Sequence, residues 1–175
     1  MGLSASAVYI SEPNVGFEAT LALGLVEAEA SECLDAEAGF IGGPGVRVAT
    51  LRGWSVLLFD GGDNIELLSQ LSTSLMSISN DRTILFWCTQ STVGLVWFEI
   101  HAKGSLIRRW VEAEGLVMKQ HGEAVAEEAG LVDAATHEGG PLHDEWSMLR
   151  LVQAITGITE GEHFENAGPV YRIDA

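Results

Sequence analysis

The chain has 175 residues and a formal net charge of −16, with 25 acids against 9 lysines and arginines. At 47% hydrophobic residues it is not a disordered acidic tail. Its length predicts a single domain over residues 1–175, able to bury about two-thirds of its unfolded surface. The sign of the charge speaks against nucleic acid and anionic membrane as partners and favours a basic one.

The acids are unevenly spread. Residues 1–44 hold 7 acids and no base, residues 45–111 hold 5 acids and 6 bases, and residues 112–175 hold 13 acids and 3 bases. A nearly neutral centre therefore carries two acidic flanks. No apolar run reaches the roughly 20 residues that span a bilayer. The first residues show no basic segment followed by a long apolar one, which predicts no signal peptide and a cytoplasmic protein. Cys33 and Cys88 do not make a disulfide framework and read as small buried hydrophobes.

Residues 5–11 alternate like a short strand. Pro13-Asn14 looks like a helix start with Asn14 as the N-cap, leading into a mostly buried helix over 15–25. Residues 27–37 are rich in Ala and Glu and favour helix by propensity. GFIGGPG at 39–45 must be a loop.

The clearest patterns follow. Residues 46–51 and 54–60 are β-branched and aromatic runs split by Arg52-Gly53, which predicts a hairpin. Asp63 or Asn64 can cap a helix from 65 to about 76, with Ile65, Leu68, Leu71 and Leu75 at helical spacing. Residues 83–89, 94–102 and 105–112 read as strands of an antiparallel meander, the last two joined by a tight Lys103-Gly104 turn. Residues 115–141 give no clear element. Residues 144–155 predict a helix with Trp146, Leu149, Val152 and Ile155 on one face. Residues 157–168 read as an acidic loop and 170–173 as a final strand. The sum is α+β: a twisted antiparallel sheet of five to six strands with helices packed on one side.

Candidate chemistry is sparse. His137, His143, Asp144 and Glu145 offer imidazoles and carboxylates, but their spacing matches no zinc pattern. The simpler reading is a polar loop whose Asp144 and Glu145 complement a helix N-terminus. Gly42-Gly43-Pro44-Gly45 precedes a strand and lacks the Lys-Ser/Thr ending of a phosphate loop. There is no G-x-S-x-G, and neither cysteine has a basic neighbour to activate it. No catalytic residue, cofactor or metal is assigned. Trp54, Trp87, Trp97, Trp110 and Trp146 read mostly as core; Trp110, beside Arg109 at a strand end, is the one expected to be an exposed interface anchor. Two acidic clusters are candidate partner-binding faces: Glu27, Glu29, Glu32, Asp35 and Glu37, and then Glu123, Glu127, Glu128 and Asp133 with Asp144 and Glu145. Solvated surface is the competing reading for both.

The stretch GWSVLLFDGG, then a helix with LSQLS, then TILFWCTQSTVGLVWFEIHAKGSLIRRW has a rhythm. Over residues 46–112 it resembles small bacterial immunity proteins of secreted and polymorphic toxin systems. Trp54, the segment 103–106 and residues 108–110 are the matching positions. The resemblance implies a cytoplasmic protein that binds one cognate toxin, blocks its active site and does no chemistry of its own. Joined to the charge pattern, it predicts an acidic face laid over a basic active-site cleft, with electrostatic steering of the encounter. Two alternatives stand beside it. One is a metal-assisted hydrolase built around His137 and His143. The other is a homo-oligomeric structural protein, in the simplest case a homodimer, whose exposed strands pair across a two-fold axis.

Overall fold

A computed structural model describes residues 4–25, 32–33, 45–59, 65–90, 92–128, 145–164 and 170–171. In chain order the elements are β1 (Ser4–Ile10), α1 (Gly16–Ala22), β2 (Glu32–Cys33), β3 (Val46–Leu51), β4 (Trp54–Phe59) and α2 (Ile65–Ile78). Then come β5 (Ile84–Gln90), β6 (Leu95–Ala102), β7 (Ser105–Ala113), β8 (Leu116–His121), α3 (Glu145–Thr156), α4 (Glu160–Phe164) and β9 (Val170–Tyr171).

All nine strands join one antiparallel sheet in the order β2-β9-β3-β4-β1-β5-β6-β7-β8. Seven of them have six or more residues, and β2 and β9 have two each, so the sheet exceeds the expected five to six strands. The α+β class holds. β1 lies between β4 and β5 and runs antiparallel to both, so the connection through α2 crosses over it.

The helices are not confined to one side, which corrects the sequence expectation. Ala5, Ala7 and Tyr9 of β1 share a core with Met148, Leu151 and Val152 of α3. Val8 and Ile10, pointing the other way, share a second core with Ala19 of α1 and Leu68, Leu71 and Leu75 of α2. Successive side chains of a strand face opposite layers, so a strand covered on both sides buries every side chain, and the polar ones must find partners. That is why all seven residues of β5 are buried, along with the first seven of β6. Gly16 brings α1 close to the sheet: a Cβ there would collide with Val48 Cγ1. None of the described helices is long and apolar enough to cross a membrane.

Three hairpins close on two-residue turns, Arg52-Gly53, Lys103-Gly104 and Glu114-Gly115, with φ of 47° and 83°, 53° and 69°, and 52° and 74°. Positive φ at both centres matches the twist of the flanking strands, and glycine takes the second position without steric cost.

Several local expectations are corrected. α1 begins after Val15 and has no side-chain cap; Asn14 instead takes a positive φ of 64°. Glu32 and Cys33, expected in a helix, form β2 against β9, and the rest of 27–37 lies outside the described residues. The expected loop at 157–168 contains α4, whose N-terminus is a capping box. Thr159 N and Oγ1 donate to Glu162 Oε2 at 2.9 and 2.8 Å, and Glu162 N donates back to Thr159 Oγ1 at 3.3 Å. Arg52 Nε also reaches Glu162 Oε1 at 2.8 Å. These hydrogen bonds, from Thr159 first and then Arg52, bring the Glu162 carboxyl down to about 2.

Candidate functional site

The β7–β8 margin gathers most of the unusual chemistry among the described residues. β7 carries two consecutive arginines, and alternation sends them to opposite layers. Arg108 faces the α3 side. Its Nε and Nη2 donate to Glu128 Oε1 and Oε2, each at 2.8 Å, with both side chains only 1% exposed. Arg108 Nη1 reaches the carbonyl oxygens of His121 and Gly122, both at 3.3 Å, and the guanidinium lies 5.5 Å from the Trp110 ring centroid. Glu128 Oε1 accepts Val125 N–H at 3.1 Å. The fork-to-fork geometry and the carbonyl partners satisfy the ions that burial has stripped of water.

Arg109 faces the α2 side. Its Nε donates to Glu99 Oε1 at 2.6 Å and its Nη2 to Ser72 Oγ at 2.6 Å. Glu99 is fully buried and also accepts Trp97 Nε1–H at 2.8 Å and His101 Nε2 at 2.7 Å. Burial alone would push the Glu99 carboxyl up. The hydrogen bonds from His101, Trp97 and Ser72 and the charge on Arg109 together outweigh it, so the group lies below the usual carboxylate range. An ionised carboxylate only accepts, which assigns the shared proton to His101 Nε2. His101 Nδ1 has no hydrogen-bond partner among the described residues. Glu99 and His101 would suit proton transfer, but they are 0% and 1% exposed, and only Arg109 reaches solvent. As built, the cluster joins β6, β7 and α2 rather than meeting a solute.

β8 is the outermost strand at this end of the sheet, and all six of its side chains are exposed. Leu116 is 66%, Val117 45% and Met118 62% exposed; in sequence, exposed Glu114 precedes them and exposed Glu123 and Glu127 follow the strand. The register with β7 slips between Val111 and Glu112, leaving Met118 as the extra residue of a bulge. Lys119 lies with its Nζ 5.9 Å from the Trp97 ring centroid.

The sequence-predicted residues are only partly reunited here. Glu123 and Glu127 are exposed, as a binding face requires. Glu128 is not: it is buried against Arg108 and faces no partner. Trp110, expected as an exposed anchor, is 6% exposed, packs in the α3-side core and donates from Nε1 to Glu112 Oε2 at 3.3 Å. The exposed tryptophan is Trp146, at 51%. Glu32 sits in β2 and Glu145 opens α3. Glu27, Glu29, Asp35, Glu37, Asp133, His137, His143 and Asp144 lie outside the described residues. Among the described residues no three His, Cys, Asp or Glu side chains are grouped to hold a metal ion. Glu114 was missed although Glu-Gly between apolar segments is a hairpin signal of the same kind as Arg52-Gly53.

Two surface clefts of about 300 and 330 Å³ share Asn80, Asp81 and Arg82. The first adds Glu18 to its wall, and the Arg82 guanidinium is tied to Glu12 Oε2 at 2.8 Å. Neither cleft touches the Glu99 or Arg108 clusters. Compared with protein-family models, curated proteins and solved structures, the chain gives no match.

Proposed function

We propose that this protein is an immunity-type inhibitor that captures a cationic toxin and occludes its basic active-site cleft. The observation that carries the reading is the disposition of charge. Arg52, Arg82, Arg108 and Arg109 are each ion-paired with a carboxylate of the same chain. Glu18, Asp81, Glu114, Glu123, Glu127 and Glu160 stand exposed and form no ion pair with any described residue. Of the described bases, Lys103, Lys119 and Arg150 also stand exposed, so these six unpaired exposed acids outnumber the exposed unpaired bases two to one. Such a surface accelerates encounter with a basic protein and disfavours acidic competitors.

The test is protection followed by kinetics. Co-expression of this chain with its cognate toxin should restore growth, and the purified pair should associate at a rate that falls as salt rises. The triple variant Glu114→Lys, Glu123→Lys, Glu127→Lys should slow association about tenfold or more at low salt with unchanged folding. Absence of protection, or an association rate indifferent to both salt and charge reversal, defeats the reading.

A further inference from the structure

The outer edge of β8 has no strand partner among the described residues. We propose that a second copy of this chain pairs with it, β8 against β8, antiparallel across a two-fold axis normal to the sheet, so that two sheets become one. This does not rest on the inhibitor reading and makes the opposite prediction about salt.

The pairing follows from the ends of the strand. Glu114 stands in the turn that precedes β8, whereas Lys119 and His121 lie at its far end. Two-fold antiparallel pairing reverses one strand on the other, so the acidic end of each copy meets the basic end of its mate. The apolar residues Leu116, Val117 and Met118 fall in the middle, where they cover one another. A second copy presents the opposite charge at each of these places, Lys119 near Glu114 and Glu114 near Lys119.

The register is also constrained. Residues opposite one another across an antiparallel pair share a face. Leu116 pairs with Ala113, which packs toward the α2-side core. Lys119 lies over Trp97 in that same layer. Placing Leu116 opposite the second copy's Lys119 keeps both on one side. That register sets Val117 opposite the second copy's Met118, and Glu114 opposite the second copy's His121 and diagonal to its Lys119. The Met118 bulge of each copy then lies next to the axis, where the two irregularities meet rather than opposing a regular strand.

Two bodies of −16 charge repel at long range, so this dimer should tighten as salt is raised. Sedimentation equilibrium of the full chain, from about 1 to 100 µM in about 0.05 and 0.5 M NaCl, reads it directly. The expected result is a monomer–dimer equilibrium favoured at the higher salt. Glu114→Lys and Lys119→Glu should each weaken it about fivefold, and the double swap should restore it to within about twofold. Lysine suits position 114, because Lys103 holds the same turn position at φ 53° against 52°. Unchanged thermal melting certifies the fold of each variant. A monomer at every concentration in the higher salt overturns the proposal. So does a dimer indifferent to both single changes, or one that the swap fails to rescue.

Discussion

Strands β5 and β8 belong to one sheet, yet every side chain of β5 is buried and every side chain of β8 is exposed. β5 sits between two layers of helices and is held by apolar packing on both sides. Among the described residues β8 has β7 on one flank only, and its hairpin is anchored through ions behind it: Arg108 with Glu128 toward α3, and Arg109 with Glu99 toward α2. The centre gains stability from removing apolar area from water. The margin depends on satisfying charges already removed from water. Regions of the first kind tolerate small losses of shape, whereas regions of the second kind fail when one partner is deleted.

The sharpest way to break this contrast is to delete one ion of the margin. Glu128→Ala leaves the Arg108 guanidinium buried without its carboxylate and should cost about 3–5 kcal/mol in denaturant unfolding. A loss below about 1 kcal/mol would mean that water already reaches the pair. Within the sheet, Leu85→Ala should cost about 2–5 kcal/mol, while Met118→Ser on β8 should stay within about 0.5 kcal/mol. Equal losses at these two positions would erase the distinction drawn here. The smallest effect concerns acid. Glu162 titrates at about 2 instead of 4.5, so its contribution is complete above 4.5 and disappears as pH falls toward 2. Glu162→Gln should therefore flatten the fall in melting temperature across that window relative to the parent chain. Parallel curves would show that the capping box and the Arg52 contact do not persist in solution.

What could be read from the sequence follows the same division. The hairpin at Arg52-Gly53, the α2 row of Leu68, Leu71 and Leu75, and the β5–β7 meander were legible because burial imposes a period and glycine marks the turns. The apolar runs Ile84–Cys88 of β5 and Leu95–Phe98 of β6 also signalled two covered faces, a reading that a one-sided sheet overlooked. β8 escaped because LVMKQH is exposed on both sides and carries no alternation. Trp146 was misplaced because the expected face of Trp146, Leu149, Val152 and Ile155 is right for its last three residues, while the first turn buries Met148 in place of the indole. Packing against the sheet buries Met148 and Leu151 and leaves the indole outside. Glu128 could not be told from Glu127, since only a buried Arg108 distinguishes the two, and the pairing spans 20 residues.

The neighbouring arginines of β7 have one more effect. If β7 slid by one residue toward either end, one carboxylate would inherit an arginine and the other would not. In one direction Trp110 would replace Arg109 beside Glu99; in the other Ile107 would replace Arg108 beside Glu128. Each misalignment strands a lone anion in a dry layer, so the doubled guanidinium acts as a two-way check on the threading of this hairpin during folding.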